Sequence, residues 1–322
     1  MNSDSNILSF NSHVKTEVPS DKTPLAKFGL GSLENELPIY ASSPVHFKLG
    51  NDTEILTKCA DRKVIYNTRN DQVINVVKKN YNIDYQPVAG VNIIETMLAG
   101  SGLDCTDMTR TYEQSHEGAR YAVIYTLPAH TIDLGNGDVS ELTLTHRNSG
   151  DGSWCFTLEV GWNRIVCMNR QVSIDYFSLF KTKHTPNMSP EYGARKIAGV
   201  LQGFEAEKER WTAWKNQSIT NMEAFTIFAA AAKFKIDTQL SLHELLASTS
   251  YRKSKAMKYM WNRYTTEEVK ALGSNEWAAY NAMTGWATHC GASTKPSTKN
   301  LVSTKVDRAN SVRSACTLLK AA

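Results

Sequence analysis

The sequence has no run of about 18 or more apolar residues, so nothing in it reads as a membrane-spanning helix. Its start, Met1-Asn2-Ser3-Asp4-Ser5, lacks the basic and then apolar segments of a secretory signal. The six cysteines, at 59, 105, 155, 167, 290 and 316, are scattered and none approaches CxxC spacing. That argues against a zinc or disulfide framework and for buried free thiols in a reducing compartment. There is no GxxxxGK[ST], no GxSxG and no HExxH, and Gly29-Leu30-Gly31-Ser32-Leu33-Glu34 lacks the third glycine and the preceding strand of a dinucleotide fingerprint. The eight histidines lie far apart. No metal or other cofactor is expected, and an enzyme is the disfavoured reading.

What is present is ordinary globular composition, with 41% hydrophobic and 21% charged residues over 322 positions. The net charge of +4 is unevenly placed. Beyond Cys290 lie Lys295, Lys299, Lys305, Arg308, Arg313 and Lys320 against Asp307 alone, leaving the rest of the chain about neutral. Three regions are expected: a polar, loosely tethered arm over 1–38, a single domain over 39–290, and a basic, mobile Ser/Thr/Lys-rich tail over 291–322.

Within the domain, 60–168 reads as sheet and 170–290 as helix. The clearest period-two pattern runs from Glu141 to Gln171. Leu142, Leu144 and His146 share one face of a first strand. Trp154, Phe156, Leu158, Val160 and Trp162 are expected on one face of a second. The intervening Asn148-Ser149-Gly150-Asp151-Gly152-Ser153 carries turn chemistry. Val64–Thr68 and Gln72–Val77 read as a hairpin, and Leu103–Glu113 and Tyr121–Leu127 as further strands. A helix over Val88–Leu98 is ended by Gly100 and Gly102.

From Ser173 onward the period turns helical. A helix starting at Ser189-Pro190-Glu191 is predicted to reach about Gln217, and an apolar one follows over Asn221–Ile236. Ser241/Glu244 and Thr265/Glu268 both have capping-box spacing, and a last helix runs from Asn275 to about His289. The fold class expected is α+β: a mostly antiparallel sheet of about six strands with one intervening helix, then a helical C-terminal half.

Two sets of residues could carry chemistry. The Trp154/Phe156/Trp162 stripe could stack on splayed bases, but Leu158 and Val160 on the same face make it core. Arg147, Arg164, Arg170, Lys181, Lys183 and His184 gather around the strand exits, with Asn163 and Asn169 as neutral donors. This set could grip phosphates or be a solvated rim.

The stretches Tyr66-Asn67-Thr68, Asn80-Tyr81-Asn82-Ile83, Asp151-Gly152-Ser153, Arg164-Ile165-Val166-Cys167-Met168-Asn169 and Trp277-Ala278-Ala279-Tyr280-Asn281-Ala282-Met283-Thr284, ending at His289, resemble a family of phage/plasmid-like proteins catalogued as a domain of unknown function. The resemblance spans roughly residues 60–290. Where that family more usually has Ser-His before its DGS turn, this sequence has Ser149-Gly150, and no catalytic residues come with the likeness. It implies a gene of a phage or other mobile element acting in the host bacterial cytoplasm. A looser, fold-level similarity is to single-strand annealing proteins of the Red-beta/RecT type.

The expected function is therefore non-enzymatic binding of single-stranded DNA or RNA by an oligomer of this chain, through Arg147, Arg164, Asn169, Arg170, Lys181, Lys183 and His184. A host or phage replication or recombination protein is a further expected partner, and a membrane is not. The competing readings are a factor that modulates a host defence or replication protein, and a hydrolase or nuclease assembled from His146, Asp138 and Asp151.

Overall fold

The computed structural model describes residues 33–48, 56–165, 169–172, 178–186, 197, 200, 203–289 and 301–320. The fold is α+β, with two antiparallel sheets and a helical C-terminal half. Three strands form the smaller sheet: β1 (Tyr40–Lys48), β2 (Leu56–Asn67) and β3 (Gln72–Lys78), in that order. After α1 (Pro87–Ala99) come the six strands of the larger sheet: β4 (Thr109–Ser115), β5 (Arg120–Asp133), β6 (Val139–Ser149), β7 (Phe156–Arg164), β8 (Asn169–Val172) and β9 (Ser178–Thr182). The hairpin expected over 64–77 thus belongs to a sheet of its own. The step to helical period at Ser173 also falls differently. β8 pairs the distal half of β7 and β9 its proximal half, so the two short strands share one edge end to end.

The helices are α2 (Gly203–Asn216), α3 (Asn221–Ala232), α4 (Leu242–Ala247), α5 (Thr249–Lys253), α6 (Lys255–Arg263), α7 (Glu276–Thr288) and α8 (Leu301–Ala315). Of the helix expected from Ser189, residues 187–196 lie outside the described residues. The capping boxes at the starts of α3 (Thr220/Glu223) and α4 (Ser241/Glu244) are closed in both directions. The Thr265/Glu268 spacing is not a helix start. The chain there is already helical, and α6 runs through a π turn, Tyr264–Glu268, into Val269–Leu272.

Alternation along β5, β6 and β7 buries Tyr121, Tyr125, Leu142, Leu144, Phe156 and Trp162 on one sheet face, against α1 and the helical half. Aromatic rings carry that core across. Trp162 meets Trp211 of α2 at 5.6 Å between centroids, and Trp211 meets Trp277 of α7 at 5.0 Å. Edge and offset contacts of this kind add about 0.5–1.5 kcal/mol each beyond area burial. α7 is buried from Glu276 to Ala287, as its apolar, small-residue composition requires of a helix enclosed on all sides. The stripe expected on β7 is core as far as Phe156, but Trp154 falls on the opposite face, with Ala122, Ile124 and Val302. Its backbone N–H and carbonyl are both bonded by the Ser149 hydroxyl before the strand begins, which breaks the alternation.

The region expected to be a mobile tail is helix over Leu301–Ala315, and it is docked. Val302, Val312, Ala315, Cys316 and Leu319 are buried, and Lys305 and Lys320 are paired with Glu113 and Glu223. Residues 1–32 of the expected N-terminal arm and 291–300 of the expected tail lie outside the described residues, while Leu37 is fully buried.

Gly285 of α7 marks the tightest approach in the helical half. A Cβ there would meet Arg263 Nε at 2.5 Å and its Cζ at 2.9 Å. Arg263 is held by Glu268 at 2.9 Å and cannot swing aside freely. Gly285→Ala is therefore expected to destabilise the protein by about 1–3 kcal/mol despite the better helix propensity of alanine, read as a shift in the urea midpoint.

Candidate nucleic-acid interface

Antiparallel partners in direct register project to the same side of a sheet. In the smaller sheet the register pairs Lys48 with Leu56, His46 with Lys58, Arg62 with Lys78 and Val64 with Val76. One face therefore presents Lys48, His46, Lys58, Arg62 and Lys78, all exposed, around Leu56 (42% exposed) and Val76 (45%). Among the described residues no carboxylate shares this face. Asp61 points to the other side and reaches Arg62 only at 3.6 Å, with both side chains well exposed, a pair worth little in water. Asp52 and Glu54, in the β1–β2 connection, lie outside the described residues. One of the four cross-strand pairs, Arg62 with Lys78, sets like charges opposite each other, which costs stability unless an anion sits between them.

The opposite face explains why this sheet stays in place. Ile65, Val77 and Tyr40 are buried there, with Ile74, Tyr81 and Ile83 packed around them. Tyr40 donates to the Gly118 carbonyl at 2.7 Å, and its ring lies 2.9 Å from where a Cβ of Gly150 would be. Asn75 donates to the Asp151 carbonyl at 2.7 Å and Tyr81 to that of Ser149 at 3.0 Å. The sheet is thus tied to the β6–β7 turn at one end, and its far end, Lys48 with Leu56 and Lys58, stands in solvent.

The seven residues expected to bind nucleic acid do not form one surface. Arg164 is 3% exposed, ion-paired with Asp138 and with Glu268 at 3.3 Å, so it is a buried structural cation. Arg147 is paired with Glu159 beside Trp154, 5.8 Å from the ring centroid. Lys181 lies on β9 opposite Thr157 and is exposed. Lys183 is also exposed, and His184 packs against the segment that follows β3. The His184 carbonyl accepts from Asn82 N–H at 3.2 Å, and its ring stacks on Tyr81 at 4.9 Å. Burial pushes the His184 imidazole below its ordinary range, so at neutral pH it is uncharged. Asn169 and Arg170 pair with Arg164 and Asn163 through the β8 backbone. Of the set, Lys183 and His184 are the two held beside the smaller sheet, through the bond from Asn82.

The trio considered for hydrolysis is not assembled. His146 is fully buried, its Nδ1 3.1 Å from the Thr157 carbonyl and its Nε2 3.3 Å from the Tyr121 hydroxyl. Asp138 is taken by Arg164 and by Trp277 Nε1 at 2.7 Å, and Asp151 by Arg120 at 2.7 Å. Among the described residues no three His, Cys, Asp or Glu side chains are grouped to hold a metal ion, and no helix is long and apolar enough to cross a membrane.

Residues 73–314, about three-quarters of the chain, match the family described as Domain of unknown function (DUF932). The chain belongs to this family. No curated protein and no solved structure matches it significantly. The DUF932 match begins inside β3, so Lys48, Lys58 and Arg62 lie ahead of it, while the larger sheet and almost all of α8 lie within it.

Proposed function

We propose that this DUF932 protein binds single-stranded nucleic acid through the outer face of its smaller sheet, and serves a phage or plasmid as a strand-annealing protein. The observation that carries the reading is the set Lys48, His46, Lys58, Arg62 and Lys78 on one solvent-facing surface without a carboxylate among the described residues. Such a surface suits the phosphate backbone, which supplies affinity without reading sequence. Leu56 and Val76 between the cations would seat unstacked bases, which a closed duplex does not offer. β3 is an edge of its sheet with Val73 and Val76 exposed, a route by which copies could pair into an oligomer. A basic outer face supports this reading over the competing one, a factor that modulates a host defence or replication protein.

Anisotropy of a labelled single-stranded oligonucleotide at two salt concentrations tests it. With four cations engaged, the slope of log affinity against log salt should be about −3, from roughly 0.7 per neutralised phosphate on single strands. Replacing Lys48, Lys58, Arg62 and Lys78 by Ala should weaken binding by about tenfold or more and flatten that slope. No binding at low salt, or equal binding by the fourfold variant, would sink the proposal.

A further inference from the structure

The second face of the larger sheet is unlike the first. It carries Thr143, Thr145, Arg147, Thr157 and Glu159 where the other face carries the core, and α8 crosses it. The helix is fixed at both ends. Near its start Val302 is buried, Ser303 meets Ser115 and Arg120 at 3.1 and 3.2 Å, and Lys305 holds Glu113 at 2.6 Å. Toward its end Val312, Ala315 and Cys316 are buried, and Arg308 donates to the Trp286 carbonyl at 2.9 Å. Alongside the helix lies a groove of about 740 Å³.

We propose that this groove binds a small phosphorylated metabolite. Its volume falls in the range of ligand clefts, about 300–1,000 Å³. Cations enter it from three elements: Arg147 from β6, Lys181 from β9 and Arg313 from α8. Two carboxylates line it as well, Glu159 and Asp307, and Glu159 is already engaged by Arg147. That leaves a single net positive charge, suited to one phosphate group and too little for a polyanion. Arg147 keeps one donor unmatched despite its pair with Glu159. Its side chain is 12% exposed and its Nε is buried without a hydrogen-bond partner, although an arginine donor out of water normally finds one. Trp154 and Val306 give an apolar wall for the carbon part of the ligand, and the Ser153 hydroxyl gives a neutral donor, while the Thr157 and Ser314 hydroxyls already donate to the Cys155 and Asn310 carbonyls. This site is separate from the basic face of the smaller sheet and does not depend on its role.

Calorimetric titration of the full chain with inorganic phosphate, glycerol 3-phosphate, AMP and uncharged adenosine tests the assignment. Saturable binding of a phosphate ester, absent with adenosine, is expected. Lys181→Ala and Arg313→Ala should each weaken it by about tenfold, the loss of one charge-assisted contact. Asp307→Asn should tighten it, and Lys58→Ala on the smaller sheet should leave it unchanged. Lys181 is exposed, so its variant keeps the fold and the test stays readable. Inorganic phosphate binding as tightly as either ester would restrict the site to free anion and overturn the metabolite assignment. Absence of saturable binding, or binding indifferent to both cation variants, would overturn the site altogether.

Discussion

Changing Glu268 to Ala is expected to destabilise the protein by about 3–5 kcal/mol, because it leaves two buried guanidinium groups short of their shared counter-charge. Glu268 is 3% exposed, and its two oxygens serve Arg263 at 2.9 Å and Arg164 at 3.3 Å. Arg164 in turn holds Asp138, which accepts from Trp277, so one chain of charge ties the β6 and β7 ends to α7. The π turn makes this possible. On an α-helix, residues five apart point about 140° away from each other. The wider turn over Tyr264–Glu268 closes much of that angle, and Arg263 reaches both Glu267, at 3.7 Å, and Glu268. Denaturant unfolding of Glu268→Ala, Arg164→Met and the double variant checks the argument. The double variant should cost clearly less than the sum of the singles, since removing Arg164 also removes part of the charge that Glu268 was compensating. Additive costs, or a single-variant loss below about 1 kcal/mol, would mean that the network is not closed in solution.

That network also marks the reach of local sequence patterns. Arg164 closes β7 next to Asn163, which is the local signature of a solvated cation at a strand exit. The acids that neutralise it lie 26 and 104 positions away, beyond any spacing rule. Local patterns fared better elsewhere. The period-two runs of β6 and β7, the helix ended near Gly100 and the Ser241/Glu244 box were legible because each depends on neighbours within a few residues. Thr265/Glu268 had the same spacing as a real cap and failed because the preceding turn was already helical. α8 was hidden by composition. Its Ser, Thr and Lys residues resemble a solvated end, and only the placement of Val302, Val312 and Cys316 against distant elements makes it a docked helix. The basic face escaped for a related reason. Lys58, Ala60 and Arg62 alternate, yet His46 meets Lys58 only through the register shift after Pro44, which no local pattern announces.

Two buried groups should give the pH dependence of stability opposite signs over nearly the same interval. Glu95 of α1 is fully buried with Arg110 at 3.0 Å, and burial, only partly offset by that guanidinium, lifts its carboxyl to about 7. The folded state then holds the proton more tightly than the unfolded chain, so stability is lost as pH rises from about 4.5 toward 7. His146 is the reverse. Burial, opposed by its bond to the Thr157 carbonyl, depresses the imidazole to about 4, and stability is lost as pH falls from about 6.5 toward 4. Each contribution is about 3 kcal/mol, because a tenfold change in proton affinity between the folded and unfolded chain is worth about 1.4 kcal/mol. In the wild-type protein the two slopes oppose each other and largely cancel between pH 4.5 and 6.5. Each variant should uncover the other. Relative to wild type, Glu95→Gln should gain about 3 kcal/mol as pH rises from 4.5 to 7, and His146→Gln should lose a similar amount from 4 to 6.5. Urea midpoints for the three proteins at half-unit pH intervals decide it. Parallel curves would show that neither group is held in the protonation state that its burial imposes.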